Sequence, residues 1–120
     1  MKLKKKKIIY VDVDGTICQN RDDLRDQDIS IAYSDVKPYP DRIAHINSLY
    51  DDGHEIVYWT ARGCQSGDDY TELTKQQFLE WGVKYHVIIH LFQKKVVPEQ
   101  KDKDKHVISH AIYNYIMEKL

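Results

Sequence analysis

The sequence predicts an α/β fold built on a parallel sheet, and three observations carry that prediction. The apolar run Ile8-Ile9-Tyr10-Val11 breaks off at the acids Asp12 and Asp14, and a second run, Ile56-Val57-Tyr58-Trp59, breaks off at Thr60-Ala61-Arg62-Gly63. Between them, residues 41–50 place Ile43, Ile46 and Leu49 at helical spacing. Short apolar runs bounded by polar residues read as strands buried in a parallel sheet. A strand, a helix and a second strand of these lengths make a right-handed βαβ unit, with both strand ends on one rim of the sheet. Ligands of open α/β sheets bind at that carboxyl rim, so Thr60 is expected to meet Asp12 and Asp14 in space.

The elements follow in order. Lys2 and Lys4 to Lys7 form a solvated lead-in that protects the sheet edge. After the first strand, residues 17–39 read as a polar loop or flap that includes the mixed-charge run 21–26 and ends rigidly at Lys37-Pro38-Tyr39-Pro40. The helix over 41–50 stops at Gly53. A second helix is expected over 69–81, with Tyr70, Leu73, Gln77, Phe78 and Trp81 near a 3.6-residue repeat and Gly82 as its stop. Residues 87–92 then read as a central strand. The stretch 93–105 is a loop of alternating charges, and 106–120 carries the spacing of an amphipathic helix that could cover the sheet or an oligomer contact. At 120 residues the whole, 1–120, is one domain with a real core.

The chemistry concentrates at Asp12-Val13-Asp14-Gly15-Thr16. Side chains alternate along a strand with a rise of roughly 3.3 Å per residue, so Asp12 and Asp14 project to one side about 6.6 Å apart. Gly15 can take the positive φ of a sharp exit, and Thr16 adds a hydroxyl. One carboxylate can attack phosphorus to give an aspartyl phosphate; the other can protonate the leaving oxygen and then activate water. Two clustered carboxylates repel each other and an anionic substrate, which calls for a divalent cation, Mg²⁺ above all. Arg62 could fork onto a phosphate or a sugar carboxylate, its plainer reading being a surface charge.

The strand followed by DVDGT resembles the first motif of the haloacid dehalogenase superfamily of phosphatases, and residues 56–62, an apolar strand ending in Thr, look like its second. The resemblance implies a three-layer α/β/α, Rossmann-like fold. It makes Asp12 the nucleophile and a metal ligand, and Asp14 the general acid/base whose carbonyl also holds the metal. Gly15 and Thr16 would flank the substrate, Thr16 also holding the flap, while the Thr60 hydroxyl and the neighbouring N–H of Ala61 would grip the transferring phosphoryl group. A wider likeness covers roughly residues 8–86. It rests on Ile46-Asn47-Ser48-Leu49-Tyr50, Gly53-His54-Glu55-Ile56, Tyr58 to Gly63, Thr74, Gln77, Trp81-Gly82 and Tyr85-His86, and it is to the small members linked to capsule and surface-polysaccharide biosynthesis. That implies a phosphorylated sugar or related metabolite as substrate. Taken singly, Phe78 and Trp81 read as helix packing and His86 as a satisfied histidine at a strand start. Residues 17–39 and 63–69 are too short for a cap domain, so shielding of the site falls to the flap, the substrate or a second subunit of a homo-oligomer.

The likeness weakens after residue 92. The family pattern calls for a lysine and then a strand ending in paired acids; the chain offers Lys94 or Lys95 for the lysine and Asp102 or Asp104 for the metal-binding acids, with Pro98 breaking the strand between. Loss of these groups would weaken metal binding and leave phosphoryl charge unscreened. Two other readings therefore stand beside the phosphatase: a non-catalytic domain that binds a phosphorylated ligand or a partner, and a nucleic-acid end phosphatase. A formal net charge of −1 counts against the last. With no apolar stretch near the roughly 18 residues of a membrane span and no export signal, a cytoplasmic protein is expected, and Cys18 and Cys64 are expected to be free thiols.

Overall fold

The computed structural model describes residues 5–91 and the backbone of residues 105–108. Four strands, β1 (Ile8–Asp12), β2 (Glu55–Thr60), β3 (Val87–His90) and β4 (Lys105–Ile108), form a sheet in the order β3-β2-β1-β4. Every pairing is parallel, with Ile9 beside Ile56, Val11 beside Tyr58 and Asp12 beside Trp59. Helix α2 (Pro40–Asp51) connects β1 to β2, and α3 (Thr71–Trp81) connects β2 to β3. A short helix, α1 (Arg21–Arg25), and a 3₁₀ turn (Tyr33–Asp35) lie between β1 and α2.

Alternation along the strands decides where the core sits. Ile9, Val11 and Val13 point to the same face as Ile56 and Tyr58, and Ile43, Ile46 and Leu49 of α2 and Phe78 of α3 join them in one apolar cluster. Both connecting helices thus cover one face of the sheet. Pro40 opens α2 at its first turn, where a missing N–H costs nothing, and Gly82 closes α3 in the left-handed conformation. Asp69, expected within that helix, stays outside it, because its carboxylate accepts from the Thr71 N–H at 2.9 Å and turns the chain into the first helical residue. His54 and His86 act as polar fasteners at the β2 entrance: their Nδ1 atoms accept from Lys7 N at 3.1 Å and Ile56 N at 3.0 Å, and His86 stacks on Tyr50. Phe78 and Trp81 pack on the core, and both cysteines are free thiols.

Three expectations need correction. Residues 17–39, expected as a polar loop or flap, are mostly exposed or half-buried but hold more structure than a loop: Ile17, Cys18 and Val36 are buried, Cys18 pairs through its backbone with Asp14 and Pro38, and Asn20 caps α1 through the Asp22 N–H. The expected central strand over 87–92 is described as β3 over four residues at one end of the sheet order, with Val87 exposed; Phe92 lies outside the described residues. The expected helix over 106–120 gives way at its start to β4, where parallel pairing with β1 supplies the backbone partners that a helix would otherwise provide internally. Residues 109–120 lie outside the described set. Among the described residues, no helix is long and apolar enough to cross a membrane.

Candidate active site

Asp12 is the last residue of β1, and the chain turns back over itself immediately after it. Thr16 N and Ile17 N both bond to Val13 O, at 3.2 and 3.1 Å, and Gly15 N bonds to Cys18 O at 2.9 Å. Gly15 carries the turn at φ +82°, where a side chain would be strained. Arg42 of α2 clasps the turn from behind, donating Nη1 to Gly15 O and Thr16 O, each at 3.2 Å. The two acids leave this turn into one cleft of about 790 Å³, whose walls include Trp59, Arg21, Tyr33 and Tyr70.

Asp14 is held by a buried network. Arg62 reaches it with Nη2 at 2.9 Å and Nε at 3.1 Å on Oδ1, while Oδ2 takes Nε at 3.2 Å and the Thr60 hydroxyl at 3.3 Å. The Arg62 side chain is 0 % exposed and that of Asp14 17 %. Nη1 of Arg62 turns the other way, donating to Gln77 Oε1 at 2.6 Å and Thr74 Oγ1 at 3.2 Å on α3. Gln77 in turn donates to Tyr33 O at 2.7 Å, and the Tyr33 ring lies under the guanidinium at 4.8 Å. A buried charge persists only when paired and fully bonded, and these partners meet that condition.

Asp12 has no such counter-ion among the described residues. Burial first, and then the charge of Asp14, push its carboxyl up to about 7, against a smaller pull from the Val13 N–H. The Cys18 thiol, raised by burial above all to about 12, is a protonated group packed on Asp14 at 3.7 Å and no nucleophile.

The structure brings Asp12, Asp14, Ala61 and Arg62 to the cleft, and among the other described residues expected there Gly15, Thr16 and Thr60 do not line it. Arg62 is not a surface charge, since it is sealed beneath Asp14. Thr60, 0 % exposed, spends its hydroxyl on Asp14 and on the Arg62 N–H at 3.1 Å. Gly15 and Thr16 are buried behind the acids, and the Thr16 hydroxyl has no hydrogen-bond partner among the described residues. Lys94, Lys95, Asp102 and Asp104 lie outside the described residues. Strand β4 begins at Lys105 beside Ile8 and ends at Ile108 beside Val11, so its finish, not its start, adjoins Asp12.

Among the described residues, no three or more His, Cys, Asp or Glu side chains gather as a metal site. The acid pair nonetheless suits a hard cation: Asp12 supplies an uncompensated carboxylate, the ligand Mg²⁺ takes, while Asp14 already has Arg62. Sequence reasoning missed Tyr33 and Arg42 altogether and gave Thr74 and Gln77 no role. The last two did carry a signal, two polar residues on the α3 face that buries Phe78, which demands a buried partner. Set against known proteins, the chain matches no family model, and no curated protein or solved structure is significantly similar to it.

Proposed function

We propose that the chain is a Mg²⁺-dependent phosphomonoester hydrolase of the haloacid dehalogenase type, with that superfamily's three-layer Rossmann-like fold and no cap, acting on a sugar phosphate or related small metabolite of surface-polysaccharide biosynthesis. The observation that supports it most is the contrast at one strand end, where Asp12 and Asp14 face the same cleft and, among the described residues, an arginine ties down Asp14 and none Asp12. In this reading Asp14 enters the reaction protonated: an Asp12 carboxylate oxygen attacks phosphorus, the bond to the leaving oxygen breaks, and Asp14 gives its proton to that oxygen and becomes a carboxylate. Asp14 then takes a proton from water, whose oxygen attacks the aspartyl phosphate, releasing inorganic phosphate and restoring Asp12. Arg62 and Thr60 hold the Asp14 carboxyl group in place for both transfers. Mg²⁺, held by Asp12 and the Asp14 carbonyl, would neutralise charge on the phosphoryl oxygens.

The test is phosphate release from a panel of sugar phosphates and an aryl phosphate, with and without Mg²⁺. Metal-dependent turnover supports the hydrolase; folded protein with no turnover on any substrate overturns it. One observation favours the second reading, a domain that binds a phosphorylated ligand without cleaving it: the Thr60 hydroxyl, expected on the phosphoryl group, is bonded to Asp14 instead.

A further inference from the structure

Among the described residues lining the cleft, three carry positive charge: Arg21, Arg25 and Arg62. Arg62 is consumed by Asp14. The other two come from α1, four residues apart and so on one face of that helix, in the wall contributed by the segment between β1 and α2. Arg21 is oriented rather than loose. Its guanidinium lies 3.9 Å over the Tyr33 ring, and its side chain is 18 % exposed. Its ionic partner is the adjacent Asp22, 72 % exposed, through single-oxygen contacts at 3.4 and 3.2 Å. An exposed pair of that kind stabilises little and exchanges readily for a better acceptor. Arg25 is steered by Nε donating to Ile29 O at 2.9 Å, and its two Nη nitrogens have no partner among the described residues. Two planar forks, one on a ring and one on a backbone carbonyl, thus border a cleft much larger than a phosphoryl group fills.

We propose that Arg21 and Arg25 bind a second anionic group on the substrate, so that the cleft selects a phosphorylated sugar bearing a second phosphate or a carboxylate. This rests on the phosphatase reading and adds its selectivity: the phosphoryl group to be cleaved lies at Asp12, and the second anion on the α1 wall. The charge pattern fits the chemistry, because the acids repel an anionic ligand and the guanidinium pair on the α1 wall of the same cleft attracts it. Asp22 and Asp68 also line the cleft, and Asp22 must yield Arg21 when the anion arrives.

The experiment compares glucose 6-phosphate, glucose 1,6-bisphosphate and 6-phosphogluconate with Mg²⁺, using the native chain and Arg21→Ala/Arg25→Ala. The native chain should favour one of the two ligands with an extra anion over glucose 6-phosphate by at least about tenfold in kcat/KM, or about 1.4 kcal/mol, and the double variant should lose most of that preference. Whichever of the two is preferred identifies the second group as phosphate or carboxylate. No preference in the native chain, or a preference that survives the double substitution, overturns the proposal. Absence of turnover with all three defeats the phosphatase reading alone; calorimetric binding of the same ligands then decides this one by the same ratio. Arg21→Gln/Arg25→Gln replaces the alanine variant if that one does not fold.

Discussion

Asp12 and Asp14 stand two residues apart on one strand end, yet their surroundings are opposite. Asp14 is enclosed by a guanidinium and a threonine hydroxyl, with a further layer of Thr74, Gln77 and Tyr33 behind the arginine. Asp12 shares its burial with no counter-ion among the described residues, and its carboxyl is raised to about 7. In the phosphatase reading proposed above, these different environments give identical side chains separate tasks, Asp14 being fixed in place for proton transfer and Asp12 left to meet phosphorus or a cation.

That contrast can be broken from either side. The largest effect is expected from Asp12→Asn, which removes the proposed nucleophile and should lower Mg²⁺-dependent phosphate release by at least about a thousandfold, while keeping the Asp14 network and, by removing a desolvated carboxylate, raising the urea midpoint of metal-free protein at pH 8. Next comes Arg62→Ala. It strands Asp14 and empties a buried site, so unfolding in urea should show a loss of about 3 kcal/mol, and Asp14→Asn in the same chain should recover part of it. Gln77→Leu deletes the bonds to Arg62 and to Tyr33 O while keeping the volume, with an expected cost of about 1–2 kcal/mol in the same assay.

The pH profile sharpens the comparison. The folded Asp12 holds its proton more tightly than the unfolded chain does, so its contribution is fully present below about pH 4 and is lost as pH rises through about 7. The melting temperature of metal-free protein should show that decline, and Asp12→Asn should flatten it. Added Mg²⁺, which requires the ionised carboxylate, should raise the melting temperature more at pH 8 than at pH 6. Lys84→Ala, which removes an exposed pair with Asp51, sets the floor: its change in urea stability should stay within about 0.5 kcal/mol.

Much of the framework was legible along the chain because its signals are local. The β1 and β2 runs, the Ile43-Ile46-Leu49 stripe of α2 and the Gly82 stop of α3 each announce themselves within a few residues. Helix α1 did not, since it buries no residue and so has no apolar stripe to show. The strand β4 is four residues long, and an apolar pair as short as Val107-Ile108 fits a helix face as well as a strand. The acid pair was visible for the same reason as β1. Its support was not: the partners of Arg62 come from the β1 turn, α3 and the segment between β1 and α2, and only the fold brings Asp14, Thr74, Gln77 and Tyr33 around one guanidinium.

The most direct measurement is to quench the reaction with an aryl phosphate and Mg²⁺ in acid, digest the protein and locate any phosphoryl adduct by mass spectrometry. The account predicts an adduct on the peptide containing Asp12, and none in Asp12→Asn. Phosphate release that proceeds without such an adduct and persists in Asp12→Asn would contradict it.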